Sequence, residues 1–456
     1  MSEIDASAAL DIRAHGIAHR AEDGTVLLVR PAPSGAGVEE VEVDRALADR
    51  FALSTGDIAE GEVEPIPDAG DALPATALDG NEDDDYDERD EPAAVRGEKV
   101  PEWLVTRRPP VGKLVAIRRV NGLAAEDAIK RPSARLKRSS YERAAPDRWV
   151  ELAASPNDIT GRMLDFAAPF ALGYAGLVHG PHGAGLTRTL HAVARGVTLH
   201  APDALLFVLL AKGAGSRSEE ITEWRRRFPA AEVIVCPAGH HRSTVEDALR
   251  VADLTLAAAQ RQTELGRHVV LLVDSLTGLW ASMLENEEAD AQREADRSWS
   301  RQRIREWMQA AGNFAGEGLL GSGLGGSLTI VGSAWNRSVD AEAEEEGEIH
   351  PHLRLVEHVL SECGWRVAVS GALAAERLFP AIRVSQCLSR DEERFVPADL
   401  MERLIAARAR LADLGERARY DTLMDALSSS TGWDDLLTTL GTPGHHKRDG
   451  TAVDGR

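Results

Sequence analysis

Three cysteines in 456 residues, Cys236, Cys363 and Cys387, are too few and too far apart to frame a disulfide core or a thiolate metal site. A reducing, cytoplasmic setting is the expectation. No apolar run reaches the ~18 residues that a membrane helix needs, so no membrane partner is expected. The N-terminus has no basic segment leading into an apolar stretch, so no secretory leader is read there. Positive charge is also short: Lys and Arg total 52 against 74 Asp and Glu, a net of −22. That balance opposes indiscriminate binding to nucleic acid, although a local basic face survives inside an acidic whole. The His240-His241 and His445-His446 pairs have no further ligands at useful spacing and read as surface residues.

One more absence is chemical. Gly180-Pro181-His182-Gly183-Ala184-Gly185-Leu186-Thr187 fits the phosphate-loop spacing G-x-x-x-x-G-K-[ST] at every required position but one. Leu186 stands in the lysine's place, so the cation that neutralises the β- and γ-phosphates is missing. Gly180, Gly183 and Gly185 still permit a tight loop, and Thr187 still offers a hydroxyl to Mg²⁺. Lys212 and Arg188 are the cations that could reach a phosphate instead. Gly176–His179 reads as a short buried strand before the loop and Thr187–Leu199 as a helix after it, the arrangement that aims backbone N–H groups at phosphate. Taken alone, the loop also reads as an ordinary glycine-rich turn. Asp274 ends the apolar strand Val269–Val273, about 90 residues downstream, where a phosphate-loop enzyme places the acid that holds Mg²⁺ through water. Thr187 and Asp274 are therefore the candidate Mg²⁺ ligands.

Residues 1–10 read as a disordered N-terminus and 11–125 as a small β-rich unit. Its strand candidates are Thr25–Val29, Val41–Val43, Gly61–Ile66 and Lys113–Val120. An acidic, Pro- and Gly-rich insertion at about 67–100 is expected to be disordered. A basic connector follows at 126–160. Residues 107–148 carry twelve Arg/Lys against four Asp/Glu, which suits RNA phosphates, the acidic insertion or a solvated linker equally well. From 161 to 440 apolar strands (Leu205–Leu210, Val233–Val235, Val269–Val273, Leu328–Val331) alternate with helices at 219–228 and 244–264, and 398–440 is helical. That pattern predicts an α/β domain with a parallel sheet. Residues 441–456 read as a flexible tail.

These segments together resemble the bacterial transcription termination factor Rho, a hexameric RNA-dependent ATPase and helicase, over roughly residues 11–66 and 111–425. Ser54-Thr55-Gly56-Asp57-Ile58-Ala59-Glu60-Gly61 is similar to the family's R-T-G-D-x-x-x-G stretch. Gly161–Pro169, Gly325–Ile330 and Arg377-Leu378-Phe379-Pro380-Ala381-Ile382 continue the series in order. The resemblance implies a RecA-like P-loop ATPase-type domain with a parallel sheet, preceded by a small OB/cold-shock-like barrel. It implies ATP or ADP with Mg²⁺ as the ligand, bound weakly here. Phe379 matches the ring that packs on adenine, and Arg377 an arginine near the subunit interface. Arg390 matches the arginine finger given to the neighbouring subunit, and Arg30 falls where an RNA contact is expected.

The departures cluster. The family's D-E-R stretch supplies the glutamate that activates water, whereas Ala211–Ser218 carries no acid before Glu219-Glu220. Gly278 and Gly371 replace basic positions. Asp23-Gly24-Thr25-Val26-Leu27-Leu28 has no ring where the family's D-G-F-G-F run stacks bases, a contact worth about 1–3 kcal/mol per base. Glu285–Asp290 and the stretch Asp340–Glu348, with six acids, replace basic pore loops and would repel a phosphate backbone. The expectation is a Rho-like protein with impaired catalysis and weak or absent RNA binding. It would self-associate into a ring or co-assemble with a true Rho, as scaffold or regulator. A weakly active RNA-dependent ATPase with a rewired site, and an assembly protein keeping only the fold, stay open beside it.

Overall fold

The computed structural model describes residues 13–21, 23–31, 38–66, 110–130, 142–211, 218–236, 242–284, 300–315, 326–335 and 351–441. The expected N-terminal disorder, the acidic insertion, residues 131–141 of the basic connector, the D-E-R equivalent after Ala211, both acidic pore loops and the tail after Gly441 lie outside the described residues.

Six strands form the N-terminal unit: β1 (Arg13–Arg20), β2 (Val26–Pro31), β3 (Val38–Val43), β4 (Ile58–Pro65), β5 (Gly112–Val120) and β6 (Leu123–Ala124). They run in the order β3-β2-β1-β4-β5-β6, and β3 also pairs with β5, which closes the sheet into a barrel. Strand alternation sets its two faces. Val26 and Leu28 point inward and pack with Val41, Val43, Leu53, Leu114 and Val120. Leu27 and Val29 point outward and are nevertheless buried. Short helices α1 (Arg45–Arg50) and α2 (Ala125–Ala128) complete the unit, the first capped by Asp44, which accepts from the Ala46 N–H.

The larger part begins with short strands β7 (Glu142–Ala144) and β8 (Trp149–Val150), helix α3 (Ile159–Ala167) and β9 (Phe170–Ala171). The main run is β10 (Ala175–Gly180), α4 (Leu186–His200), β11 (Leu205–Leu210), α5 (Ser218–Arg227), β12 (Glu232–Val235), α6 (Arg242–Glu264), β13 (His268–Asp274) and α7 (Leu276–Leu284). It continues through α8 (residues 300–308), β14 (Gly312–Ala315), β15 (Ser327–Trp335), α9 (Pro351–Leu360), β16 (Trp365–Ala368), α10 (Gly371–Ala375) and β17 (Leu388–Ser389). Helices α11 (Ala398–Ala412), α12 (Glu416–Ser429) and α13 (Trp433–Gly441) close the chain. The sheet order is β12-β11-β13-β15-β10-β16-β17, parallel except at β17, and off this path β14 pairs antiparallel with β15 and β7 with β14. Helices cover both faces, which is why β11, β13 and β15 are buried almost throughout, without alternation. The expected architecture, a RecA-like P-loop ATPase-type α/β domain behind an OB-like barrel, is the one observed.

The barrel does not hang on a loose linker: its β1–β2 face docks on α6. Leu27, Val29 and Val38 share a buried cluster with Val251, Leu254 and Ala258. Gly56 turns with φ +93°, and a Cβ there would lie 2.5 Å from the Ala257 carbonyl oxygen, so only glycine allows the approach. Asp57 and Arg261 are both fully buried, with Arg261 Nε donating to Asp57 Oδ1 at 3.0 Å. Asn121 Nδ2 donates to the same oxygen at 2.6 Å, and Gln262 Nε2 to Asn121 Oδ1 at 2.9 Å. Arg250 of α6 pairs with the buried Glu40 of β3, and His15 with Glu232 at 2.8 Å.

Breaking a buried pair leaves a stranded charge, so Asp57→Ala or Arg261→Ala is expected to cost about 3–5 kcal/mol, read as a lower urea midpoint. His15 titrates above its ordinary 6.5, first through its hydrogen bond to Glu232. Its folded pKa is raised, so its contribution is whole below the unfolded value and fades as pH climbs through the folded one. His15 is half exposed, so the effect is small. The melting temperature should sag slightly across that range, and His15→Asn should flatten the slope.

Candidate nucleotide site

Strand β10 delivers Gly180 to the C-terminal edge of the sheet, and α4 starts six residues later. Gly183 (φ +81°) and Gly185 (φ +102°) take left-handed backbone with open space where a Cβ would stand. Gly180 is different: a Cβ there would meet Val369 Cγ2 at 2.4 Å. No side chain caps α4. Leu186, the first residue of α4, is 8% exposed and joins the apolar cluster of Val178, Ala184 and Leu190. The loop therefore keeps its shape, and its lysine position has become part of the core. Thr187 follows it, partly buried.

Asp274 ends β13 and is buried, accepting a hydrogen bond from Ser333 Oγ of β15 at 2.8 Å. One strand, β15, lies between β13 and β10, which sets Asp274 about 10 Å across the sheet from the loop's strand. The register places it level with Val178. Neither Asp274 nor Thr187 lines the cleft that the loop faces. Ala211, the first residue after β11, is buried and donates to the Asp274 carbonyl at 2.8 Å. Its methyl side chain has no acid to offer water. Gly278 lies in α7 with its N–H bonded to Ser275 Oγ, and Gly371 opens α10.

The loop faces a cleft of about 300 Å³. Gly185 and Arg188, Phe379 and Pro380, and Asn157–Thr160 line it. Phe379 is 44% exposed and is the one aromatic side chain among the exposed large apolar residues described. Sequence spacing could not put it there, since nearly two hundred residues separate it from Gly185; the loop between α10 and β17 does. Arg377 is exposed in left-handed backbone (φ +62°) and does not line the cleft. Arg195 and Asp158 pair at 2.7 Å within it.

Arg390 sits at the opposite end of the sheet. Its N–H bonds to the Gly364 carbonyl, and the Gly364 N–H to that of Ala175, the first residue of β10. The length of β10, about 16 Å, thus separates Arg390 from the loop of its own chain. Its side chain is exposed and makes no hydrogen bond or ion pair among the described residues. Glu392 is held instead by Arg408. Arg30 pairs with Glu39 at 2.7 Å beside the barrel's joint with α6. Leu27, where a stacking ring would be expected, faces that joint, so a ring placed there would meet α6. The Asp57 clamp was missed by sequence reasoning; the aspartate in Ser54-Thr55-Gly56-Asp57 was a visible signal, its partner Arg261 was not.

No model of a known protein family matches the sequence. The chain is 28% identical over 323 residues to transcription termination factor Rho of Gemmatimonas aurantiaca, covering 68% of this chain and 40% of that protein. It is 29% identical over 271 residues to Rho of Bacillus subtilis, 59% of this chain and 58% of that one. Rho of Streptomyces lividans matches at 28% over 347 residues, 74% and 45% respectively. The chain is thus a distant relative of Rho proteins, and spans about 40% to 58% of the length of these three. Among solved structures, an ATPase of the type III secretion system of pathogenic bacteria aligns at 14% identity and TM-score 0.47, over 66% of this chain and 88% of that one. That score carries no weight beside the sheet order. No described helix is long and apolar enough to cross a membrane.

With the loop's backbone intact, Leu186→Lys is expected to tighten Mg-ATP binding by about tenfold or more in calorimetry, the worth of one charge-assisted contact. Unchanged affinity would show that the defect reaches beyond this side chain.

Proposed function

We propose that this chain is a Rho-like ring subunit with impaired catalysis, acting as scaffold or regulator in its own ring or in one shared with a true Rho. The observation that carries the reading is the phosphate loop that keeps its left-handed glycines while its lysine position is a leucine buried in the core. Without that cation the transition-state charge is unmet, and the buried Ala211 begins a stretch with no acid to activate water. The exposed Phe379 opposite the loop supports retained, weak binding of ATP or ADP. Thr187 and Asp274 are the residues that would hold its Mg²⁺. Arg390, far from its own loop and exposed, suits a neighbour's site. The occupied β1–β2 face, with no rings, supports weak RNA binding at most.

Alone, the purified chain should show no phosphate release above background with or without poly-C RNA. Mixed with an authentic Rho it should co-purify and change the ATPase rate, and Arg390→Ala should remove that change. Failure to associate sinks the shared-ring form. The retained Asp274, still anchored by Ser333, favours a second reading with turnover of its own. Release that Asp274→Asn abolishes would establish it.

A further inference from the structure

We infer that Arg188, on the side of α4 away from Leu186, is the cation that this cleft offers a nucleotide, making it a site for adenine nucleoside diphosphate or triphosphate without preference between them. The inference rests on the nucleotide-binding reading above and concerns which phosphates the site feels.

Leu186 and Arg188 are two residues apart on α4, roughly 200° around the helix. They cannot serve the same place. Leu186 turns into the core, whereas Arg188 is exposed and lines the cleft that Phe379 closes. The ring marks the base end of a bound nucleotide and the loop marks the phosphate end. Arg188 lines the same cleft as both, within reach of a phosphate bound beside the loop. The other charges of the cleft are already matched. Asp158 accepts from the N–H groups of Ala154 and Gly161 and pairs with Arg195. The Thr189 hydroxyl turns back to the Gly185 carbonyl at 3.1 Å. Arg188 has no ion pair or hydrogen bond among the described residues, so it is the uncommitted cation of the wall. The cleft's volume is at the low end of the roughly 300–1,000 Å³ seen for ligand sites, enough for base, ribose and first phosphate. Beyond it, the γ-phosphate meets the loop at Leu186, which offers no charge. Triphosphate and diphosphate should therefore bind alike, and the guanidinium should govern both.

The test is calorimetric titration of the whole chain with AMP, ADP and ATP in Mg²⁺, for wild type, Arg188→Ala, Arg188→Lys and Leu186→Lys. In wild type ADP and ATP should agree within about threefold. Arg188→Ala should weaken AMP, ADP and ATP by about tenfold or more, the scale of a charge-assisted contact, and Arg188→Lys should restore part of it. Leu186→Lys should tighten ATP over ADP and so create the preference that wild type lacks. Wild-type binding of ATP about tenfold tighter than ADP, or binding indifferent to Arg188→Ala, overturns the inference while leaving the nucleotide site standing. No binding of any nucleotide by wild type or Leu186→Lys overturns both. Arg188 is exposed, so unchanged melting of its variants serves as the folding control.

Discussion

The buried pair between Asp57 and Arg261 fixes the relation between the two halves of the described chain. Two ionised groups removed from water must find each other and their remaining hydrogen-bond partners, or the interior bears an uncompensated charge. Here Asn121, Gln262 and Glu264 complete the set. The requirement is directional: the barrel can satisfy Arg261 only when Gly56 touches the backbone of α6. Once that contact forms, the outward residues of β2 lie under α6 and are lost to solvent. That face of the barrel is buried against α6.

The same economy runs through the phosphate loop. Its glycines still shape a nest of N–H groups, since their left-handed angles cost nothing without a Cβ. Leu186, where the phosphate-loop pattern has a lysine, lies in one buried cluster with Val178 and Leu190. The glycine cradle is present with a leucine at that position. Phe379 and Arg188 line the same cleft as Gly185 of that loop. Arg390 stands across the sheet, where its own site cannot use it.

Much of the fold was legible because its signals are local. Gly180, Gly183 and Gly185 announced the loop by spacing, and β11 runs over the same Leu205–Leu210 that apolar content picked out. The helices at 219–228 and 244–264 came within two residues of α5 and α6, since their periodicity is strong. The first strand, Arg13–Arg20, was not read out, because its residues are mixed in polarity and are strand-forming only between β2 and β4. In the site, Leu186, Thr187 and Asp274 were readable from motif spacing. The cleft was not, since Phe379 and Arg188 meet only after the chain has returned through β16.

The sequence by itself determined the kinds of element, the loop, and the absence of its lysine, because period and glycine placement are properties of neighbouring residues. Tertiary structure alone decided what those residues face. It turned Leu186 into the core and Arg188 into a cleft, sent Arg390 to the far edge, and joined Asp57 to an arginine 204 positions away. Those outcomes depend on how strands order in a sheet and which helix face is left to cover, and no local pattern encodes either.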